Sequence, residues 1–403
     1  MRSSVGWTVS SGADPVMSER PRVLIVIGTR PEGIKLAPVV RALGTRSDEV
    51  ETRLALTGQH SDLMDQVLEV FSLVPDWDLG IMREGQDLYD VAHGCLDGLR
   101  RVFAEWRPDL VLAEGDTATV FLAGLVSFFE RTRLGHVEAG LRSRDRWRPW
   151  PEEIFRRLTG VVADLHFAPT PAARENLLGE GIGSELVPYT RVHVTGNTVV
   201  DAVRWAANSS RPVQNRDLAD VLGADQRIVL VTAHRRESFG EPLRQALSGV
   251  RALADRVADT LFLYPVHPNP NVRAAAAVLA DHPRVRLTTP LDYLDLVAAL
   301  RACSLVITDS GGLQEEGPAL GKYVLVMRDV TERPEAVHSG WAELVGTDPT
   351  AIVARGVALL DRAGRTAGTN PFGDGRAGER IADIAIAELT GTARRTADWD
   401  GVA

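Results

Sequence analysis

Three carboxylates stand beside apolar, β-forming runs in the first half of the chain, where they could serve acid–base chemistry. Asp116 lies in GDT just after LVLAE, Glu138 ends LGHVE, and Glu152 lies in WPEEIFRR at a predicted helix start. Glu138 precedes Ala-Gly and should be poorly solvated, which would raise its pKa towards the range useful for proton transfer. His136, two positions earlier, fits the same site or the core equally well. An acid such as Glu152 commonly only offsets a helix dipole. Together the three carboxylates predict an acid–base site without naming its reaction.

A second set of residues is cationic and also follows β-forming runs, in both halves of the chain. GTRPEGIK contains Arg30 and Lys35, AHRRES contains His234 and Arg235, and RDVTERPEA contains Arg333. Arginine binds phosphate oxygens through a fork of two N–H groups, so these loops could hold a diphosphate. Alternatively they only cover a solvated surface. Loops that meet at one cleft would explain how a protein of net charge −9 holds a doubly charged substrate.

The stretch ITDSGGLQEEGPALGK, residues 307–322, combines a glycine turn with two acids. A strand should end at Ser310, and Gly311 and Gly312 should lead into a helix. Bare backbone N–H groups and the helix dipole at such a turn suit a phosphate. Glu315 and Glu316 follow within about one turn, where they should repel it. The residues alone leave this conflict open.

The elements that must position these residues alternate along the chain. Continuous apolar strands are predicted at 22–27, 52–56, 110–114, 134–138, 165–169, 191–195, 227–232, 260–266, 284–288, 305–309 and 323–327. Amphipathic stretches such as 86–105, 151–162, 241–256 and 292–302 lie between them. This alternation predicts parallel sheets covered by helices on both faces.

The predicted fold class is α/β, with two Rossmann-like doubly wound domains facing a central cleft, because eleven strands are too many for one ordinary sheet. Residues 1–20 are expected to be a disordered leader, 21–190 the N-terminal domain and 191–375 the C-terminal domain. Ligands of open α/β sheets bind at the carboxyl ends of the strands, which is where the candidate residues fall.

Composition excludes several classes of protein. GxGxxG and the P-loop are both missing, so the usual NAD and ATP signatures are absent. The acidic balance argues against a nucleic-acid partner, and apolar runs are too short to span a membrane. Cys95 and Cys303 lie too far apart in sequence for a disulfide framework or a zinc site. With no signal peptide recognised, a cytoplasmic location is expected.

Ten motifs in register then resemble one family. They are GTRPEGIKLAP, GDTATV, GHVEAGLR, PWPEEIFRRLTG, VTGNTVVDA, TAHRRESFGEP, YPVHPNPNVR, TDSGGLQEEGPALGK, VMRDVTERPEA and NPFGDG. From about residue 22 to 390 the chain is similar to the non-hydrolysing UDP-N-acetylglucosamine 2-epimerases. The resemblance implies the GT-B arrangement of two Rossmann-like domains, the second binding UDP, with a C-terminal helix, 376–392, crossing back onto the first. It also implies a homodimer and no cofactor.

The resemblance assigns roles residue by residue. Ser310, Gly311 and Gly312 match residues that hold the UDP phosphates, and Glu316 matches a carboxylate that accepts hydrogen bonds from the ribose, which resolves the conflict noted above. The remaining matches are Arg30 and Lys35 for substrate and phosphate contacts, Asp116, Glu138 and Glu152 for acid–base catalysis, His234 as a site histidine, and Arg333 on the nucleotide side.

The implied reaction removes the C2 proton and eliminates UDP in the anti sense, giving 2-acetamidoglucal. UDP then returns to C1 while C2 is protonated on its other face, which yields UDP-N-acetylmannosamine. Which carboxylate removes the proton stays open. Two alternatives remain: an epimerase or hydrolysing relative for a differently substituted UDP-sugar, and a catalytically silent UDP-sugar-binding protein.

Two departures from the family pattern bear on regulation and specificity. Several bacterial members bind a second, activating UDP-GlcNAc, and Gln59 and His267 match its contacts. Asp62 and Gly85 stand where a glutamine and an arginine would be, which predicts a weak second site unless Arg83 replaces the arginine. RSRDRWRPWPEE is more basic than usual, so Arg144 and Arg148 face solvent or contact an altered or acidic sugar.

Overall fold

The computed structural model describes residues 20–58, 62–83, 85–362 and 369–401, and within them the strands form two fully parallel sheets. The first sheet contains β1 (Arg22–Ile27), β2 (Glu51–Leu56), β3 (Trp77–Asp78), β4 (Leu110–Glu114), β5 (Arg133–Val137), β6 (Leu165–Ala168) and β7 (Arg191–Val194). The second contains β8 (Arg227–Thr232), β9 (Thr260–Pro265), β10 (Val285–Thr288), β11 (Leu305–Thr308), β12 (Tyr323–Val326) and β13 (Ala342–Leu344).

Helices connect the strands and cover both sheets. In chain order they are α1 (Arg30–Gly44), α2 (Asp62–Phe71), α3 (Leu88–Trp106), α4 (Ala118–Phe129), α5 (Glu152–Val162), α6 (Pro171–Gly179), α7 (Thr198–Ala207), α8 (Arg216–Leu222), α9 (Glu241–Arg256), α10 (Pro270–Ala276), α11 (Tyr293–Ala302), α12 (Leu313–Ala319), α13 (Pro334–His338), α14 (Pro349–Leu360) and α15 (Ala377–Thr390). Of those in the described part of the chain, none combines the length and apolar character that crossing a bilayer requires.

Both sheets follow the doubly wound order. The first reads β3-β2-β1-β4-β5-β6-β7 and the second β10-β9-β8-β11-β12-β13. The strand order therefore reverses between β1 and β4 and between β8 and β11, which are the switch points where such sheets bind ligands. Strands β1, β4, β8 and β11 are almost wholly buried. The predicted α/β fold class with two Rossmann-like sheets is confirmed.

The strand at 191–194 corrects the predicted position of the boundary at 190. Its register pairs Leu165 with Arg191 and Ala168 with Val194, so β7 is the edge strand of the first sheet and does not open the second. The alternation of strand and helix carried no information about which sheet a strand joins. We propose that the domain boundary lies after Val194.

Two crossings of the chain between the sheets lie side by side. The first follows β7 and the second precedes α15. The amide of Asn197 donates to the carbonyl of Phe372 at 2.7 Å, and a Cβ on Gly196 would lie 3.4 Å from Cα of Gly373. Both glycines have positive φ, +85° and +134°.

The C-terminal segment returns to the first sheet. Helix α15 packs on α1, where Gly378 lies against Pro38. The tail beyond α15 then covers the sheet edge, because the buried Trp399 donates its backbone N–H to the carbonyl of Val194 at 2.7 Å. Helix α7 packs against α1, α11, α12 and α15, so it connects the cores of the two halves.

Candidate active site

A cavity of about 290 Å³ lies between the carboxyl ends of the two sheets and is lined by six of the predicted site residues. Lys35, Asp116, Glu138 and Glu152 line it from the first half. Arg235 and Arg333 line it from the second half. Carboxylates and guanidinium groups that are far apart in sequence therefore face the same space.

Lys35 lies between two glutamates at the floor of the cavity. It projects from the second turn of α1, which begins where Glu32 Oε2 accepts from the amides of Gly28 and Thr29 at 2.6 and 3.2 Å. Its Nζ lies 3.0 Å from Glu114 Oε1 and donates to Glu138 Oε2. Lys35 is thus held by an acid pair, and its phosphate contact with Arg30 stays a prediction.

Glu138 is held in an unusual backbone conformation just after β5. Its φ is +64°, a region that non-glycine residues rarely occupy and that often marks functional sites. Asn197, at the first chain crossing, donates to its other carboxylate oxygen at 3.5 Å.

The expected direction of the Glu138 pKa is wrong. Burial favours the protonated form, but the attraction of Lys35, then the hydrogen bond with Glu114 and the attraction of Arg333 outweigh it and hold the Glu138 pKa below its usual value. The pKa of Glu114 moves the other way, because burial and the neighbouring Glu138 raise it while Lys35 only partly opposes them. Of the two carboxyls, Glu114, at the end of β4, therefore keeps its proton to higher pH.

Asp116 and Glu152 line the same cavity in different surroundings. Arg156 of α5 donates to Asp116 Oδ2 and lies 3.3 Å from Glu153. Glu153 is buried and accepts from the amide of Ser143 at 3.0 Å, which anchors the loop before α5. Glu152, by contrast, has a buried Oε2 that finds no hydrogen-bond partner among the described residues. It is free to meet a ligand.

The Ser-Gly-Gly turn lies under two guanidinium groups. A Cβ on Gly311 would lie 2.8 Å from Nη1 of Arg333 and 3.3 Å from Nη2 of Arg235, so only glycine permits this approach. Glu315 Oε1 accepts a hydrogen bond from Nε of Arg333 at 2.8 Å and so orients the guanidinium group. The first of the two acids of α12 therefore serves to hold a cation at the turn formed by Ser310, Gly311 and Gly312.

Glu316, the second acid of α12, lies in a separate environment with Arg30 and Tyr293. Burial, and then the charge of Glu315, raise the pKa of Glu316 to about 7, while Arg30 opposes the shift. Tyr293 Oη is buried and has no hydrogen-bond partner in the described part of the chain. Arg30 thus lowers the pKa of Glu316, and it is not among the residues that line the cavity.

His234 lies at the end of β8, positioned by Asp309 at the end of β11. Asp309 Oδ2 accepts from the amides of His234 and Arg235 at 2.7 and 2.8 Å. The His234 ring is outside the cavity lining and stacks on His267, with ring centroids 5.8 Å apart. The predicted second-site residue Gln59 lies outside the described residues, so its relation to His267 is untested.

Sequence reasoning missed Glu114, Arg156, Asp309 and Glu315 as site residues. Glu114 and Asp309 carried the same signal as Glu138, an acid closing an apolar strand, and could have been found by it. Arg156 and Glu315 act through partners distant in sequence, and no spacing rule reveals those contacts. Among the described residues, no group of three or more His, Cys, Asp or Glu side chains is arranged to hold a metal ion.

Comparison with known proteins matches one family over most of the chain. The family model described as UDP-N-acetylglucosamine 2-epimerase matches residues 42–386. The UDP-N-acetylglucosamine 2-epimerase of Escherichia coli (strain K12) is 44% identical over 370 residues, which cover 89% of this chain and 97% of the relative. That of Yersinia pestis is 46% identical over 370 residues, with the same 89% and 97% coverage.

A solved structure extends the match to the fold. The crystal structure of UDP-GlcNAc 2-epimerase from Neisseria meningitidis bound to UDP-GlcNAc has a TM-score of 0.81 and 37% sequence identity to this chain. The superposition covers 92% of this chain and 100% of that one. The chain therefore belongs to the UDP-N-acetylglucosamine 2-epimerase family, whose isomerase activity is carried here by two Rossmann-like sheets of the GT-B type.

Proposed function

We propose that this protein interconverts UDP-N-acetylglucosamine and UDP-N-acetylmannosamine by epimerisation at C2, without a cofactor. The observation that carries the proposal is one cavity with Asp116, Glu138 and Glu152 on one side and Arg235 and Arg333 on the other. A nucleotide sugar needs both sets, since its diphosphate is anionic and its sugar must exchange a proton.

The diphosphate belongs at the turn of Ser310, Gly311 and Gly312. There the backbone and the two guanidinium groups above Gly311 would stabilise charge as UDP leaves. The C2 proton is only weakly acidic, so stabilisation of the leaving diphosphate must lower most of the barrier. Glu316 would accept from the ribose hydroxyls.

Three carboxylates, Asp116, Glu138 and Glu152, could supply proton-transfer groups for both faces of C2. Elimination requires a base on one face, and protonation from the other face requires an acid. Glu138 is paired with Lys35, and Glu152 lines the cavity with one carboxylate oxygen that has no hydrogen-bond partner among the described residues. Asp116 lines the same cavity, where Arg156 holds it. The intermediate formed by loss of UDP would be 2-acetamidoglucal.

Incubation with UDP-GlcNAc alone in heavy water tests the function directly. We expect a mixture of two UDP-sugars by NMR, with deuterium at C2 in both and no effect of added NAD. Free sugar plus UDP would identify a hydrolysing relative, and the absence of turnover a silent binding protein. Retention of the original hydrogen through many turnovers would exclude the elimination route.

A second candidate, an epimerase for an acidic or otherwise substituted UDP-sugar, is supported by the loop before α5. Pro149 lines the cavity, and Arg144 and Arg148 beside it are exposed. Under this alternative the double variant Arg144→Ala/Arg148→Ala would raise KM for the acidic sugar and leave UDP-GlcNAc turnover unchanged.

A cytoplasmic homodimer completes the proposal. Cys95 and Cys303 are free and buried, as is common in reducing compartments. Phe128, Phe129 and Val161, at the ends of α4 and α5, are each more than 60% exposed and form an apolar surface that a second copy could cover. Sedimentation of Phe128→Glu as a monomer, against a wild-type dimer, would support this interface.

A further inference from the structure

Glu114 is a buried carboxyl at the centre of the cavity that the reaction described above does not use. It is the last residue of β4, 2% exposed, and it lines the cavity together with Lys35 and Glu138. Its Oε1 lies 3.0 Å from Lys35 Nζ, but the geometry is not that of a hydrogen bond, and this oxygen has no other hydrogen-bond partner in the described part of the chain. A carboxylate that is buried without a cation of its own requires an explanation, because Lys35 is shared with Glu138.

The charges around Glu114 do not balance unless the cluster holds one proton. Lys35 carries one positive charge, whereas Glu114 and Glu138 would carry two negative charges. The groups facing Glu114 are Lys35 and Glu32 from α1, Glu138 after β5, and Asp116 beyond its own strand. Asp116 is already paired with Arg156, and Arg333 from the second half acts on Lys35 and Glu138.

The proton resides on Glu114 for a physical reason. Lys35 donates directly to Glu138, which also accepts from Asn197, so Glu138 has the better partners for its charge. Glu114 shares the same ammonium group and a hydrogen bond with Glu138, in which the protonated carboxyl of Glu114 would be the donor. Two acids that interact this strongly lose their protons in separate steps, and the first to ionise is the one with the better partners.

We propose that Glu114 is a positioning residue that carries the proton of the Lys35–Glu114–Glu138 cluster and so keeps it neutral. As a neutral acid it leaves Lys35 directed at Glu138. When Glu114 ionises, Lys35 is shared between two carboxylates and the cluster gains a negative charge facing an anionic nucleotide sugar. Loss of this proton therefore sets the upper pH limit of turnover, a consequence that rests on the proposed function.

The pH dependence of kcat/KM in Glu114→Gln tests the proposal, because glutamine keeps the shape of the protonated acid and cannot ionise. We expect the high-pH limb to disappear or to move up by more than one unit, with the low-pH limb unchanged. One unit above the wild-type upper midpoint, the variant should retain about tenfold more of its plateau rate than wild type does. Glu130→Gln, at an exposed acid just after α4, should keep the wild-type profile. A Glu114→Gln profile that coincides with wild type overturns the proposal.

A second measurement does not depend on activity. The infrared difference spectrum of wild type minus Glu114→Gln, recorded at neutral pH without ligand, should contain the C=O band of a protonated carboxyl. Glu316 is present in both proteins, so its carboxyl band cancels in the difference. A difference spectrum without that band overturns the proposal. An inactive wild type that shows the band would instead reject the proposed function and leave Glu114 as the proton carrier.

Discussion

Glu316 is a site carboxyl whose ionisation lies near neutral pH. Its pKa, raised to about 7 by burial and then by Glu315, means that it is protonated below neutrality in the free protein. Ribose hydroxyls donate best to the ionised form, so UDP affinity should fall by up to about tenfold per unit as pH drops below 7. Glu316→Gln should bind UDP more weakly than wild type at pH 8 and lose this pH dependence. Calorimetric titration of both proteins with UDP from pH 6 to 8 measures the two affinities. An equal change of UDP affinity with pH in wild type and Glu316→Gln would contradict the ribose role.

The three carboxylates of the proposed acid–base set lead to a different prediction, in which substitutions lower kcat but leave UDP affinity unchanged. Asp116→Asn, Glu138→Gln and Glu152→Gln should each lower kcat by about 10²-fold or more, the usual range for a positioned acid or base. UDP binding should survive, because the proposed phosphate contacts at Ser310, Gly311 and Gly312 and the ribose contact at Glu316 are kept in all three variants. Steady-state rates and UDP titrations measure the two quantities. A Glu138→Gln enzyme near the wild-type rate would remove Glu138 from the set.

At the scale of elements, strands β5 and β6 place two buried histidines side by side. His136 pairs in register with His166, and burial lowers the pKa of His136 to about 4 and that of His166 to about 3. Both are neutral in the folded state and would protonate in the unfolded chain at about 6.5. Their contribution to stability is therefore complete above pH 6.5 and declines as pH falls below it, by about 1.4 kcal/mol per unit for each histidine.

Replacing one histidine of the pair should shift acid unfolding. His166→Phe removes one titrating group, so its unfolding midpoint in an acid titration should lie at lower pH than that of wild type. The exposed His93→Gln is the control and should leave the midpoint unchanged. Circular dichroism follows both titrations, and equal midpoints for His166→Phe and wild type would show that the pair does not govern acid stability.

The same elements explain what the sequence could predict. Parallel strands buried on both faces are continuous apolar runs, so the two sheets were predictable. The carboxyl ends of such strands meet at one edge, so it was also predictable that Asp116, Glu138 and Glu152 would lie near one another. β3 and β13, of two and three residues, are too short to form a pattern. The direction of the Glu138 pKa was not predictable, because it depends on Lys35, which lies 103 positions away in sequence.

At the scale of the whole molecule, the departures at Asp62 and Gly85 bear on how activity responds to substrate. Gly85 cannot supply the charge of an arginine, and Arg83 nearby is exposed. If a second UDP-sugar is not required, conversion of UDP-ManNAc should begin without added UDP-GlcNAc and without a lag, and the forward rate should be near-hyperbolic. Progress curves from purified UDP-ManNAc test this, and silence until a trace of UDP-GlcNAc is added would contradict it.

The two side-by-side crossings at Gly196 and Gly373 have a mechanical consequence. Both chain connections between the halves pass through this place, so a change of torsion here would turn one half relative to the other and change the distance from Arg235 and Arg333 to the carboxylates. Gly196→Ala should lower kcat as well as the melting temperature, because its Cβ would come into van der Waals contact with Gly373 at 3.4 Å and leave the crossings less room to turn. Gly181→Ala, at a similar φ of +83° but in open space, should lower only the melting temperature. Equal kcat in the two variants would mean that turnover does not depend on torsion at the crossings, whereas a selective loss of kcat would place a hinge of the molecule there.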